Sequence, residues 1–220
     1  MATAERLVAG GREVVVVGRN PSRLDAVVSR LGVSGFAVDA RSPSGLKEMF
    51  ASLGAIDHVV VTATGPSGTT PFVELTMDHV RAHVEGKLVA HSLVAQAALP
   101  TLRGSITFVT ASSAGAAMPT TAALAAVNAS VEAMVPVLAV ELKPLRVNAV
   151  SPGVVDTAWW DFLPVEVKAQ VFADVAAGTP VGRVGRPEDV AQAITFLIDN
   201  TFTTGVVLRV DGGARLGVAA

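Results

Sequence analysis

The hydrophobic positions of this chain form short β-branched runs that alternate with longer stretches of helical spacing. REVVVVGR (residues 12–19) predicts a fully buried strand, and residues 20–32 predict a helix that Asn20 caps, Pro21 opens and Gly32 ends. The alternation continues, with strands predicted at 34–40, 56–64, 104–112, 144–153 and 205–213 and helices at 42–54, 76–102, 120–142 and 187–199. This order is typical of an α/β fold whose doubly wound parallel sheet is covered by helices on both faces.

The composition fits one globular domain over residues 1–220. Half of the residues (50%) are hydrophobic, which is enough to bury a sizeable core. The formal net charge is -2 and no run of Lys and Arg occurs, so a nucleic-acid partner is not expected. The chain has no cysteine, which excludes thiolate chemistry and fits a cytoplasmic location. Glu5 and Arg6 precede any apolar run, so no signal peptide is expected.

One uncharged stretch, residues 104–131, is long enough to span a bilayer. Pro119, Asn128 and several Ser, Thr and Gly residues interrupt it. We interpret this stretch as buried interior, and we expect no membrane partner.

Several motifs together resemble the short-chain dehydrogenase/reductase family over essentially the whole chain. They are VVVVGRNPSRL (14–24), the Asp39 that ends a strand, RVNAVSPGVVDT (146–157), GRVGRPEDVAQAITFLIDN (182–200) and TGVVLRVDGG (204–213). The resemblance implies a Rossmann-like sheet with the cofactor across the carboxyl ends of the strands, where the strand order reverses. It also implies an oxidoreductase that moves a hydride between a nicotinamide and a carbonyl or alcohol of a small molecule.

The beginning of the chain departs from the family pattern. In the family a first strand and a glycine-rich turn precede the first helix, and the turn holds the pyrophosphate. Here MATAERLVAGG resembles the latter part of that helix, which ends at Gly10 and Gly11. We expect the first strand to be missing, as in an N-terminally shortened version of a longer protein. The alternative is a naturally minimal chain in which the flanking strands pair with each other.

The second departure concerns the catalytic groups. The family uses a tyrosine as acid or base and a lysine four residues later, on the same helix face. These positions are Leu124 and Asn128 here, and the chain contains no tyrosine. The family serine falls on Ala111, and we favour the neighbouring Ser112 over Ser113 as its polar substitute. The family asparagine of the preceding long helix falls on Lys87.

The exchange at Lys87 and Asn128 has two interpretations. A desolvated Lys87 has a lowered pKa and supplies the proton, while Asn128 bonds the cofactor ribose. Alternatively, Lys87 only bonds backbone carbonyls and Asn128 fills a polar gap. The second interpretation admits a protein that binds a nucleotide or ligand, or serves as a partner subunit, without catalysis.

The resemblance also implies a set of cofactor contacts. Arg19, directly after the second strand of the family, corresponds to an arginine that accepts a 2′-phosphate, which favours NADP over NAD. Thr64 replaces a family glycine, so the close approach of backbone to cofactor is in question there. Asp39 and Ala40 correspond to the pair that contacts the adenine, and Ala63 corresponds to the turn after a strand. The segment that holds the nicotinamide carboxamide corresponds to Pro152, Gly153, Val155 and Thr157.

Residues 155–182 correspond to a substrate lid. Trp159, Trp160 and Phe162 supply a wall for an apolar or aromatic small molecule, although packing of the lid on itself explains them equally well. His79 and His83 form an i, i+4 pair, but no third ligand is suitably spaced and we expect no metal site.

The resemblance implies that subunits pair through the long helices 76–102 and 120–142, or through the last helix and strand. The second long helix is rich in alanine and nearly free of charge, which fits burial between subunits. We therefore expect a homodimer or homotetramer.

Overall fold

The computed structural model describes residues 1–216, in which strands and helices alternate as the hydrophobic pattern predicts. The strands are β1 (Val15–Gly18), β2 (Ser34–Ala37), β3 (Ile56–Val61), β4 (Leu102–Val109), β5 (Arg146–Pro152) and β6 (Val207–Val210). The helices are α1 (Ala2–Ala9), α2 (Pro21–Leu31), α3 (Pro43–Leu53), α4 (Met77–Val84), α5 (Ala90–Ala98), α6 (Ala122–Glu141), α7 (Val165–Gly178) and α8 (Pro187–Asp199). The predicted α/β architecture is confirmed.

All strand pairs are parallel, but the strands form two separate sheets. One sheet contains β1 and β2, and the other has the order β3-β4-β5-β6. Among residues 1–216, no strand joins β1 to β3, and these two strands are not hydrogen-bonded to each other. The alternative of a re-paired sheet is therefore not observed.

The prediction of a fully buried strand at residues 12–19 is wrong. The observed β1 is shorter, none of its residues is buried, and Val17 is 47% exposed. A run of valines is typical of a strand that has neighbours on both sides and helices on both faces. Here β2 is the neighbour on one side, and the other edge of β1 has no partner strand among the described residues.

The core lies on both faces of the four-stranded sheet. On one face Ile106 and Phe108 of β4 pack with Val131 and Val135 of α6, and all four are fully buried. On the other face Val150 of β5 packs with a group of side chains from α8 and α1, namely Ile194, Leu197, Ile198 and Leu7. Burial of these side chains makes β4 and β5 the most enclosed strands of the sheet.

The local signals for the helix ends are confirmed. The side chain of Asn20 accepts a hydrogen bond of 2.9 Å from the backbone N–H of Arg23, and Pro21 opens α2. Gly32 ends the helix in a left-handed conformation, with φ of 64°. Helix α8 spans the predicted residues without a shift of either end.

Helix α6 is more exposed than predicted. The interpretation of residues 104–131 as buried interior holds for most of β4, whereas α6 buries only Val127, Asn128, Val131 and Val135. The helix is long and apolar enough to cross a membrane by length and composition alone, and 22% of its most apolar window is buried within the protein. Its remaining apolar surface, which includes Val137 and Val140, is exposed.

The predicted continuous helix 76–102 is interrupted. A π-helical turn over Glu85–Val89 separates α4 from α5, and the chain leaves the helix at Ala98 before β4 begins at Leu102. A π turn inserts an extra residue into the helical ladder and changes the direction of the side chains near it. This turn contains Lys87, which is a candidate site residue.

The division of the sheet predicts unequal local stability. Backbone amides of β1 are expected to exchange with deuterium about 100-fold faster than those of β4 and β5, because a two-stranded sheet with an open edge unfolds locally at a lower cost. Hydrogen exchange followed by mass spectrometry or NMR measures this difference. Equal protection of β1 and β4 would contradict it.

Candidate functional site

The predicted site residues collect at the carboxyl ends of the strands. Arg19 follows β1, Asp39 lies just beyond β2, Ala63 lies just beyond β3, Ser112 follows β4 and Pro152 ends β5. Because the strands of each sheet are parallel, the ends within one sheet lie at one edge. In doubly wound folds this edge carries the ligand-binding loops.

Lys87 is buried between the ends of β3 and β4. Its side chain extends from the π turn, and the residue is 6% exposed. The Nζ atom donates to the carbonyl oxygen of Val109 at 2.7 Å and to that of Ala63 at 3.4 Å. Burial lowers the pKa of Lys87 to about 8. Lys87 therefore has both the lowered pKa expected of a proton source and the carbonyl contacts expected of a structural lysine.

His91 lies one helical turn after Lys87 and is not among the residues that the sequence predicts. It is fully buried, and its Nε2 lies 2.9 Å from the carbonyl oxygen of Ala63, which makes this nitrogen the N–H donor. Burial, followed by the nearby charge of Lys87, lowers its pKa to about 3, so the ring is neutral. Its Nδ1 has no partner among the described residues. The i, i+4 spacing from Lys87 is the sequence signal that could have indicated it.

Asn128 has one polar atom that the protein leaves without a partner. Its Nδ2 donates to the carbonyl oxygen of Leu124 at 2.9 Å and to the hydroxyl of Ser113 at 3.3 Å. Its Oδ1 is buried and has no partner within residues 1–216. The hydroxyl bound to Asn128 is thus that of Ser113, and not that of the favoured Ser112, which lies beside it.

Lys87 and Asn128 belong to neighbouring elements but do not bond each other. The π turn that carries Lys87 packs against α6, which carries Asn128. The lysine is directed to the strand carbonyls and the asparagine to the loop at Ser113. The exchanged residues therefore lie on the two helical elements that meet at this edge of the sheet.

A second cluster surrounds Asp39 at the end of β2. Arg41 donates to this carboxylate through Nε at 3.1 Å and Nη2 at 2.8 Å, and its backbone N–H donates at 2.9 Å. These bonds hold the pKa of Asp39 at about 2, with a smaller contribution from Arg19. Arg41 also approaches Glu85 at 3.5 Å across an open cleft of about 480 Å³. The sequence predicts Arg19, Asp39 and the adjoining Ala40 as contacts here, but not Arg41.

The predicted carboxamide-binding segment is braced by backbone contacts. A Cβ atom on Gly153 would lie 2.9 Å from the Cα of Asp211, so the end of β5 packs closely against the chain after β6. Val155 pairs with Gly185, and the hydroxyl of Thr157 accepts from the backbone N–H of Trp159 at 3.4 Å. Pro152, buried at the end of β5, completes the segment.

The aromatic residues of the segment 155–182 pack on one another. The ring centroids of Trp159 and Trp160 are 4.8 Å apart, those of Trp159 and Phe162 are 5.3 Å apart, and Trp160 meets Phe172 of α7 at 5.7 Å. Phe162 remains 45% exposed and lies beside Gly68, in the loop after β3. The aromatic residues of the lid therefore pack on one another, and the exposed part of Phe162 lies beside the loop that follows β3.

The two histidines at i, i+4 have other environments. His79 forms a capping box with Thr76, in which each backbone N–H donates to the other side chain, at 3.2 and 3.3 Å. His83 is buried, which lowers its pKa. Helix capping explains the first histidine without a metal.

The described residues fit part of a dinucleotide cofactor. The orphan Oδ1 of Asn128 is an acceptor for a ribose hydroxyl, and Arg19 and Arg41 place two guanidinium groups at the ends of β1 and β2. A glycine-rich cradle for the pyrophosphate is not among residues 1–216 at this edge. Gly65, the residue after Thr64, packs against the π turn instead. A Cβ atom on Gly86 of that turn would lie 2.4 Å from the Cα of Gly65.

The chain is similar to known reductases and dehydrogenases over its whole length. A family described as enoyl-(acyl carrier protein) reductase matches residues 1–215. The short-chain dehydrogenase/reductase ATR9 of Stachybotrys chlorohalonatus is 31% identical over 237 residues, covering 98% of this chain and 92% of the relative.

Solved structures show the same similarity. A small-chain dehydrogenase in complex with NADPH has a TM-score of 0.83 at 30% identity, covering 94% of this chain and 100% of that chain. A short-chain dehydrogenase/reductase from Brucella melitensis, described as a glucose/ribitol dehydrogenase, has a TM-score of 0.90 at 28% identity, covering 100% and 91%.

The burial of Lys87 predicts a stability that depends on pH. Its pKa is about 8 in the folded chain, against 10.5 for a lysine in water, which represents the unfolded chain. The unfolded chain therefore holds one more proton between these two values. The free energy of unfolding should rise with pH across this window, by roughly 3 kcal/mol in total.

Urea unfolding of the wild type and of Lys87→Met at pH 7, 8.5 and 10 measures this rise. The Lys87→Met variant should lack it, because the loss of the carbonyl contacts is the same at every pH. Lys47→Met, at an exposed lysine, should keep it. If the free energy of unfolding changes with pH in the same way in the wild type and in Lys87→Met, then Lys87 has the same pKa in the folded and unfolded chains and the prediction is wrong.

Proposed function

The chain belongs to the short-chain dehydrogenase/reductase family and is an NAD(P)-dependent oxidoreductase, and from this we propose that it uses NADP with a small apolar carbonyl or alcohol. The observation that carries the proposal is Lys87, a buried amine with a pKa of about 8 at the edge where the cofactor-binding residues collect. An acid with a pKa near the working pH is suited to general acid-base catalysis.

Two arginines support NADP as the cofactor. Arg19 and Arg41 lie around Asp39, where the adenosine half of a dinucleotide is expected, and a guanidinium is a strong partner for a 2′-phosphate. Asn128 would hold the ribose, and the segment Pro152, Gly153, Val155 and Thr157 would hold the carboxamide. Bound NADP would supply or accept the hydride.

Lys87 replaces the missing tyrosine as the proton source in this proposal. An ammonium group has three N–H donors, and two of them are directed to Val109 and Ala63. The third can donate to the oxygen of a substrate, which is where the proton is needed when a carbonyl becomes an alcohol. The hydroxyl of Ser112 or Ser113 would hold that oxygen, and Ser113 is already oriented by Asn128.

The lid supports an apolar substrate. Trp159, Trp160, Phe162 and Phe172 present aromatic surface in the segment 155–182, and the partly exposed Phe162 meets the loop that follows β3. Aromatic walls with a few polar groups are typical of sites for small apolar molecules.

We also propose a cytoplasmic homodimer or homotetramer. Val137 and Val140 of α6 are 59% and 73% exposed, and α8 exposes Phe196. Apolar helix faces of this kind are typical of subunit interfaces, since burial between subunits removes them from water.

Cofactor titration tests the proposed specificity. The wild type should bind NADPH more tightly than NADH, and Arg19→Ala should reduce this preference about 10- to 100-fold, because a charge-assisted contact to the 2′-phosphate is lost. Tryptophan fluorescence or calorimetry measures both affinities. Arg103→Ala removes an exposed arginine at the other end of β4 and should leave the ratio unchanged. Equal affinity of the wild type for the two cofactors would refute the NADP assignment.

Turnover tests the role of Lys87. With a panel of small apolar ketones and aldehydes, Lys87→Met should lower kcat about 10²- to 10⁴-fold, the usual effect of removing a general acid. The pH profile of kcat should also lose its limb near pH 8. Lys47→Met serves as the control. A wild type that binds NADPH but oxidises none of it would instead favour the non-catalytic ligand-binding protein.

A further inference from the structure

A partly buried ion pair joins α6 to the sheet near the proposed site. Glu132 of α6 has a side chain that is 11% exposed, and its two carboxylate oxygens accept from Nη1 and Nη2 of Arg209, each at 2.7 Å. Arg209 lies on β6, and its side chain is 26% exposed. Two parallel bonds of this kind fix direction as well as distance.

The network extends to the two neighbouring strands. The hydroxyl of Thr110, directly after β4, donates to Glu132 at 2.9 Å, and Arg209 donates to the hydroxyl of Ser151 on β5 at 2.7 Å. One carboxylate of α6 is therefore linked to the carboxyl ends of β4, β5 and β6. These are adjacent strands of the four-stranded sheet.

The network lies next to the proposed site without being part of it. Asn128 precedes Glu132 by one helical turn and lies on the same face of α6. Thr110 lies two residues before Ser112, and Ser151 is followed by Pro152 and Gly153. None of the four network residues is among the proposed cofactor contacts.

Helix α6 needs such an anchor because most of its contacts with the sheet are apolar, and the hydrogen bond from Asn128 to Ser113 reaches the turn after β4 and not a strand. The residues that α6 buries are three valines and Asn128, and apolar contacts are non-directional. Pro136 lies inside the helix and has no N–H for the carbonyl of Glu132, four residues earlier. The backbone hydrogen bonds of α6 are therefore interrupted at Glu132, the residue whose side chain bonds Arg209 and Thr110.

We propose that Glu132 is a positioning residue, which through Arg209, Thr110 and Ser151 fixes α6 and its Asn128 against the strand ends. Its functional consequence rests on the proposed function, since Asn128 is assigned there to the cofactor ribose. Loss of the anchor lets α6 rotate or slide, which moves Asn128 out of hydrogen-bonding distance of the ribose; in a reacting complex a misplacement of about 1 Å costs about 100-fold in rate.

The first test measures NADPH affinity in Glu132→Gln. This variant keeps the size of the side chain but loses its charge, and the dissociation constant should rise about 10- to 100-fold, the usual cost of leaving a buried polar group such as Asn128 Oδ1 without its partner. Glu141→Gln, at an exposed glutamate of the same helix, should bind as the wild type does. Unchanged affinity in Glu132→Gln overturns the proposal.

A second test separates positioning from stability. Glu132→Met leaves the partly buried Arg209 without its carboxylate and should lower Tm, whereas the double variant Glu132→Met/Arg209→Met removes both charges and should recover most of it. A structural role predicts that NADPH affinity recovers with Tm. The positioning role predicts that affinity stays at least tenfold weaker in the stable double variant. Recovery of both overturns the proposal.

Hydrogen exchange keeps this test independent of the cofactor. In Glu132→Gln the amides of α6 from Asn128 to Glu132 should exchange faster, while those of β4 keep their protection. If the wild type binds neither NADPH nor NADH, the proposed function fails, and the exchange of α6 alone decides on the anchor. Unchanged exchange in α6 would then overturn it.

Discussion

The hydrogen-bonded ladder between β4 and β5 fixes most of the groups of the candidate site. These two strands run through the middle of the four-stranded sheet and are buried on both faces. Lys87 bonds the last carbonyl of β4, and Arg209 reaches the hydroxyl of Ser151 on β5. The geometry of the site is thus set by strand ends that packing holds in one register, and the loops add side chains to that frame.

Two cations lie near this edge, Lys87 buried and Arg209 partly buried, and their surroundings differ. Arg209 has a bidentate carboxylate, so its charge is neutralised where it lies. Among the described residues Lys87 bonds only carbonyl oxygens, and burial lowers its pKa to about 8. A buried amine of this kind costs stability at neutral pH, roughly 3 kcal/mol for a shift of this size. A paired charge can hold elements in place without titrating, whereas a costly unpaired charge is typical of a functional group.

Local sequence signals predict most of the elements but not how they are enclosed. Asn20, Pro21 and Gly32 define α2 because caps depend on residues close in the chain. The predicted burial of β1 is wrong, since a valine run reports the preference of a strand and not the presence of its neighbours. The π turn escapes prediction because helical spacing in a sequence does not show a single inserted residue.

The sequence also does not predict which polar side chains pair with each other, because these pairs form between residues that are distant in the chain. Glu132 and Arg209 are 77 positions apart, so their pairing exists only in the fold, and the choice between Ser112 and Ser113 likewise depends on which hydroxyl faces α6.

The exchange of lysine and asparagine is coherent with this geometry. Lys87 occupies the family's asparagine position and Asn128 its lysine position, so the pair of elements still carries one amine and one amide. In the family, the lysine on α6 lies four residues after the tyrosine and assists it. Here the amine lies on the π turn instead, and Leu124 occupies the tyrosine position. In the proposed function the buried amine supplies its own proton, for which a pKa of about 8 is suited, and the amide on α6 holds the ribose. Under that proposal, the absence of tyrosine from the sequence and the burial of Lys87 have one explanation.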